Sequence, residues 1–164
     1  MLKLATVFLV LIWAGLCLGG NMIAAASKFS AQGVGVTTFL KIGKAQFAAL
    51  AIAEWAFFAG VLVLSIWVKS PRFIILGLPA LAFLVQQLAI LPLLNERTNL
   101  IVAGQALPPS NMHSIYAILE TFKIAALIFA AFVISLKYMQ QPEYDQPASD
   151  KTLLISGLIT LLRV

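Results

Sequence analysis

Residues 112–136 read MHSIYAILETFKIAALIFAAFVISL, and their interpretation decides the fold. The run exceeds the roughly 20 apolar residues a helix needs to cross a bilayer, yet Glu120 and Lys123 lie inside it. His113, Tyr116, Glu120 and Lys123 are spaced three, four and three residues apart. At about 100° per residue they share one stripe roughly 80° wide. A helix that is apolar on all other sides and polar along one stripe belongs in a membrane bundle, with the stripe turned inward.

Three further runs match it in length, at about 4–26, 45–67 and 73–93. Of the 164 residues, 62% are hydrophobic and 10% charged, against about 25% charged in soluble domains. So small a chain cannot hide that much apolar surface from water. The expected fold is all-α, a polytopic antiparallel bundle of four transmembrane helices over 1–139. A polar tail follows over 140–164, with a short apolar segment at 152–162 suited to the membrane interface.

The first run also allows a signal-peptide reading, with Lys3 in a basic lead and Ala24-Ala25-Ala26 as a cleavage site. Its apolar stretch exceeds the 7–15 residues typical of such peptides, which favours a span. Gly15 and Gly19 form a small-xxx-small pair expected to admit a neighbouring helix. Loop 1, at 27–44, carries Lys28, Lys41 and Lys44. Loop 2 is only Lys69-Ser70-Pro71-Arg72, which forces helices 2 and 3 into a hairpin. Pro79 is placed to kink helix 3, and Pro92 lies near its exit from the bilayer. A polar extension through Asn95-Glu96-Arg97 then ends at Gly104, with Ser110 or Asn111 capping helix 4.

The net charge of +5 does not point to nucleic acid, because the cations sit singly at the ends of apolar runs, where they anchor helices at headgroups. Lys3, Lys69, Arg72, Lys137, Lys151 and Arg163 on one side outnumber Lys28, Lys41, Lys44 and Arg97 on the other. By the positive-inside rule both termini are expected to be cytoplasmic.

Loops 1 and 3 share a side of such a bundle. Asn21, Gln46, Glu54, Gln86, Gln87, His113, Tyr116 and Glu120 fall in the half nearest that side or close to midplane, and Arg97 lies on loop 3 itself. Glu120 sits about 12 Å below the start of its helix, and Glu54 lies at a similar depth. A cluster of Glu54, Glu120 and Lys123 is therefore expected near midplane, with Tyr116 and His113 lining its approach. Each ionisable group at a helix centre costs at least ~2.5–3.5 kcal/mol, so a compensating function is the default reading. The structural alternative is a buried ion pair that only fixes helix register. Two acids against one lysine leave an excess negative charge, which one proton can cancel.

A single histidine with no cysteine or acid at ligand spacing makes a poor metal or haem site. The lone Cys17 excludes an internal disulfide and is expected to be a packed thiol. Trp13, Trp55 and Trp67 read as lipid-facing or interfacial aromatics. No cofactor is expected.

Leu91 to Lys123, LPLLNERTNLIVAGQALPPSNMHSIYAILETFK, resembles a pattern found in uncharacterised small bacterial four-helix membrane proteins. Its elements are Leu91-Pro92, Arg97, Gly104, Pro108-Pro109-Ser110, His113, Tyr116, Glu120 and Lys123. The resemblance covers about a fifth of the chain and implies a bacterial inner-membrane location and a four-helix fold, with no activity to carry over. Three functional classes stay open. The first, which is the function expected, is an accessory, assembly or scaffold subunit bound to other membrane subunits or to itself. The second is a small proton-coupled carrier using Glu54, Glu120 and Lys123, and the third is an enzyme acting on a lipid-soluble substrate.

Overall fold

The computed structural model describes residues 2–28, 30, 32–68 and 71–139; it is helical, with no strand among these residues. Four helices are long and apolar enough to cross a membrane: α1 (Leu2–Lys28), α2 (Val36–Val68), α3 (Phe73–Val102) and α4 (Met112–Met139). Their arrangement inverts that of a soluble protein. Ile52, Trp67, Ile74, Leu88 and Ile118 face outward, while Glu54, Gln86, Glu120 and Lys123 are among the most completely buried side chains. Lipid tails accept the first group, and only a protein interior can accept the second. The chain is a multi-pass membrane protein.

α4 packs against α1 and α3, while α2 packs against α1 and the Leu91–Val102 end of α3. The inward face of α4 runs through Tyr116, Glu120, Lys123, Ile124, Leu127, Ala130, Ala131 and Ile134, at three- and four-residue steps. Ala130 and Ala131 keep that face thin, which lets neighbouring backbones approach where no hydrophobic drive exists. α1 answers with Val7, Val10, Trp13, Ala14 and Cys17. α2 is the peripheral member, burying only Glu54 and Val61 among its described residues.

Several boundaries differ from expectation. α2 begins at Val36, not near 45, so Lys41 and Lys44 ride on the helix and loop 1 shrinks to a short turn through Gly33 (φ 77°). The Thr37–Lys44 stretch carries no proline, and amphipathic residues extend the helix beyond its apolar run. α3 likewise continues past 93 to Val102 and ends, as anticipated, at Gly104, whose φ of 87° an L side chain disfavours. Ser110 Oγ accepts the Met112 N–H at 3.3 Å at the start of α4. Within the hairpin of α2 and α3, Trp55 and Phe58 meet Phe83 at 4.9 and 5.2 Å between ring centroids. Residues 69–70 of loop 2 and the tail at 140–164 lie outside the described residues.

Pro79 does not kink a running helix. A 3₁₀ segment, Pro71–Leu76, leads into an α segment starting at Gly77, so Pro79 falls in its first turn, where a missing N–H costs little. Pro92 has the larger effect. It cannot donate to the Leu88 carbonyl and its ring crowds that group, and the turn before it, Gln86–Ile90, widens into a π-helix. A second π segment occupies Cys17–Ile23 of α1 and includes Gly19 and Gly20.

The expected close approach at Gly15 and Gly19 is not there, since nothing lies within 4 Å of where a Cβ would stand on either. Both face outward. The near contact is at Gly20, whose Cβ would stand 2.5 Å from Leu50 Cδ2 on α2.

Candidate functional site

One polar cluster joins all four helices. From α2, Glu54 projects inward and is bonded directly by the Lys123 ammonium of α4. Lys123 Nζ also lies 3.1 Å from Glu120 Oε2, one turn earlier on its own helix. Asn21 of α1 reaches between the acids, its Nδ2 donating to Glu54 Oε1 at 2.9 Å and to Glu120 Oε1 at 3.1 Å. Gln86 of α3 donates from Nε2 to Glu120 Oε2 at 2.9 Å and to the Tyr116 carbonyl at 3.3 Å. Trp13 Nε1 donates to Glu54 Oε2 at 3.3 Å. Glu54, Glu120 and Lys123 are each no more than 1% exposed.

Local backbone geometry sets these contacts. Both bridging amides stand on π segments, Asn21 on Cys17–Ile23 and Gln86 on Gln86–Ile90. A π turn inserts a residue into the helical register and redirects its side chain, which is why such turns gather at functional sites. Gln46 steadies the α1 turn from α2, donating from Nε2 to the Gly20 carbonyl at 2.5 Å.

The charges do not balance. Two carboxylates face one ammonium in a volume without water-exposed atoms, leaving a formal excess of one negative charge. Asn21 Oδ1 and Gln86 Oε1 are buried without a hydrogen-bond partner among the described residues. Each belongs to an amide whose nitrogen already serves a carboxylate. An amide can serve either state of an acid: its N–H donates to a carboxylate, and on turning over its oxygen accepts from a carboxylic acid. Turned over, either amide can accept from a protonated acid, at the cost of the second bond its nitrogen now donates, Asn21's to the other acid or Gln86's to the Tyr116 carbonyl.

Cys17 Sγ, Glu54 and Glu120 bring donor atoms within 4.8 Å of one another. These residues do not suit a metal ion, because the Lys123 ammonium already sits against both carboxylates. A metal would have to displace it into an apolar wall that includes Phe83, whose ring lies 5.7 Å from Nζ.

Toward loops 1 and 3 the path from the cluster passes Tyr116, which is buried edge-to-face against Phe47 at 5.3 Å. Phe47 in turn meets His113 at 6.3 Å. His113 is exposed at the rim of a cleft that opens at this end of the bundle. The structure thus brings Glu54, Glu120, Lys123, Asn21 and Gln86 together, with Tyr116 and His113 outward from them. Gln87 is buried but makes no hydrogen bond to the cluster among the described residues. Arg97 stays apart and ties loop 3 by donating to the Pro108 carbonyl.

Trp13 is the residue the sequence reading misplaced. It is 1% exposed and bonded to Glu54, not lipid-facing. The signal was present, since Trp13, Cys17 and Asn21 follow one another at four-residue steps and fall on one face of α1. Trp55 and Trp67 do face outward. Compared with protein-family models, curated proteins and solved structures, the chain matches none, so a functional reading must rest on the chemistry of this cluster.

Proposed function

We propose that the chain is a small proton-coupled carrier of a bacterial inner membrane, with both termini cytoplasmic and the Glu54–Glu120–Lys123 cluster as its proton-exchanging site. The observation that carries this reading is the unbalanced charge of a fully buried triad whose two amide partners each keep an unused acceptor. A purely structural pair is most stable when its charges match and its hydrogen bonds are complete. With both acids written as carboxylates, one proton completes the charge match. In the proposed cycle a proton enters from the cleft side past His113 and Tyr116, binds one carboxylate, and weakens that acid's hold on Lys123.

The test is spectroscopic and needs no knowledge of cargo. Infrared difference spectra of the full chain in lipid, taken between acid and alkaline pH, are expected to show a buried carboxyl that gains and loses a proton while the fold is retained. Glu54→Gln or Glu120→Gln is expected to remove or shift that band. A folded protein in which no buried carboxyl titrates would overturn the carrier reading.

One observation favours an accessory subunit instead. Between α2 and α3, toward their loop 2 ends, an apolar crevice lined by Trp13, Phe58, Val61, Phe73, Leu76 and Ala80 opens on the outer surface. A helix of another membrane protein fits such a groove. Recovery of a stable hetero-complex on mild solubilisation, with Glu54→Gln assembling and functioning normally, would place this reading first.

A further inference from the structure

The cleft at the loop 1 and loop 3 end differs in kind from the crevice at the other end. All four helices line it, with Lys28 from α1, Phe39, Lys44 and Phe47 from α2, Leu94 from α3 and His113 from α4. Two ammonium groups line it and no carboxylate does. Both are fixed in place: Lys44 Nζ donates to Asn99 Oδ1 at 2.6 Å, and Lys28 Nζ stands 5.8 Å above the Phe47 ring. On the midplane side of them the wall is apolar, formed by Phe47, Leu91 and Leu94, while Phe39 and Leu40 line the loop side. Lys28 ends the first span, at the depth where headgroups meet acyl chains.

We infer that this cleft binds one membrane lipid with an anionic headgroup, its phosphate between Lys28 and Lys44 and the start of its acyl chain along Phe47, Leu91 and Leu94. Charge complementarity selects the head, since an unopposed ammonium pair at the interface attracts phosphate. The apolar wall selects a lipid over a soluble anion, which has nothing to cover those side chains. A zwitterionic headgroup brings its own cation toward the lysines and is disfavoured. The site lies beyond the Phe47–Tyr116 contact from the buried cluster, so its occupancy does not depend on proton exchange below.

Native mass spectrometry of the full chain, equilibrated with phosphatidylglycerol or phosphatidylcholine in detergent, tests the inference. Wild type is expected to retain one phosphatidylglycerol in preference to phosphatidylcholine. Lys28→Gln/Lys44→Gln is expected to weaken that retention about tenfold, or ~1.4 kcal/mol. Lys3→Gln/Lys41→Gln removes the same charge away from the cleft and is expected to leave retention intact, as is Glu54→Gln. Equal retention of the two lipids overturns the inference. So does an equal loss in the Lys3/Lys41 variant, which would show only diffuse attraction. Displacement of the lipid by inorganic phosphate alone would mark the site as one for a soluble anion and overturn it as well.

Discussion

Replacing Lys123 by Met is the most informative single perturbation of the cluster. The substitution keeps length and volume near those of lysine and removes one charge. In the folded protein Nζ is bonded to Glu54 and lies 3.1 Å from Glu120 Oε2. At an effective dielectric of about 20, the 3.1 Å contact alone is worth roughly 5 kcal/mol of gross attraction. Most of that offsets the desolvation of the three groups, so the net worth of the cluster is small while the loss of one member is not. Stranding two buried carboxylates is expected to cost about 3–5 kcal/mol, reduced by whatever proton uptake relieves. Glu54→Gln/Lys123→Met removes one of the stranded acids and is expected to recover part of that loss. The assay is built into the chain: Cys17 is the single cysteine and is fully buried. A thiol-reactive fluorophore therefore reports bundle opening during thermal unfolding in detergent. A Lys123→Met protein as stable as wild type, or a double variant no more stable than the single one, would refute the view that Lys123 neutralises both acids.

Trp13→Phe keeps an aromatic ring against Phe58 and Phe83 but loses the indole donor to Glu54; a loss of about 1.5–3 kcal/mol in the same thiol assay is expected for a bond to a charged group. Pro92→Ala restores a backbone N–H and is expected to tighten the π turn at Gln86–Ile90. Despite removing a helix-interior proline it should destabilise by about 1–3 kcal/mol, because Gln86 is drawn off Glu120, and a stabilised variant would contradict this. Arg97→Gln frees the Pro108 carbonyl of a partner at an exposed position and is expected to cost no more than about 1 kcal/mol. It should leave the infrared signature of the cluster untouched. Reporter fusions at the two termini are expected to report the same, cytoplasmic side.

The sequence made the architecture legible because the bilayer enforces length and polarity together, and four apolar runs leave few alternatives. It also placed Glu54, Glu120 and Lys123 at one depth by residue counting alone. It was less informative wherever helices depart from regular geometry. Periodicity assumes 100° per residue, and the two π turns break that assumption at the positions of Asn21 and Gln86. Pro92 announced a disturbance without saying that the helix would widen and continue. Trp13 departs from expectation because tryptophan at a membrane is ordinarily interfacial, and only its four-residue spacing to Cys17 and Asn21 marks it as inward. Glycine spacing misled for a related reason. Small residues permit a close approach but do not choose the face, and here the face is set by Gly20 and the Gln46 bond to its carbonyl.

The distribution of burial ties the cluster's charge to the architecture. In lipid, helices do not associate by expelling water, so packing and interhelical polar contacts must hold them. α4, α1 and α3 have continuous inward faces, whereas α2 buries only Glu54 and Val61 among its described residues. Its buried polar hold on the bundle is Glu54, which meets Lys123 of α4, Asn21 of α1 and Trp13 of α1, beside the ring contacts of Phe47 with Tyr116 and of Trp55 and Phe58 with Phe83. Protonating Glu54 removes the charge that makes these bonds strong and leaves the packing of the other three helices unchanged. Protonating Glu120 instead loosens contacts that α4 shares with α3 and α1, both of which it also meets through extensive apolar surface. The two acids are therefore unequal. Glu54 is the acid on the helix with the least buried surface among its described residues, so on the proposed carrier reading it is α2 that responds to the proton.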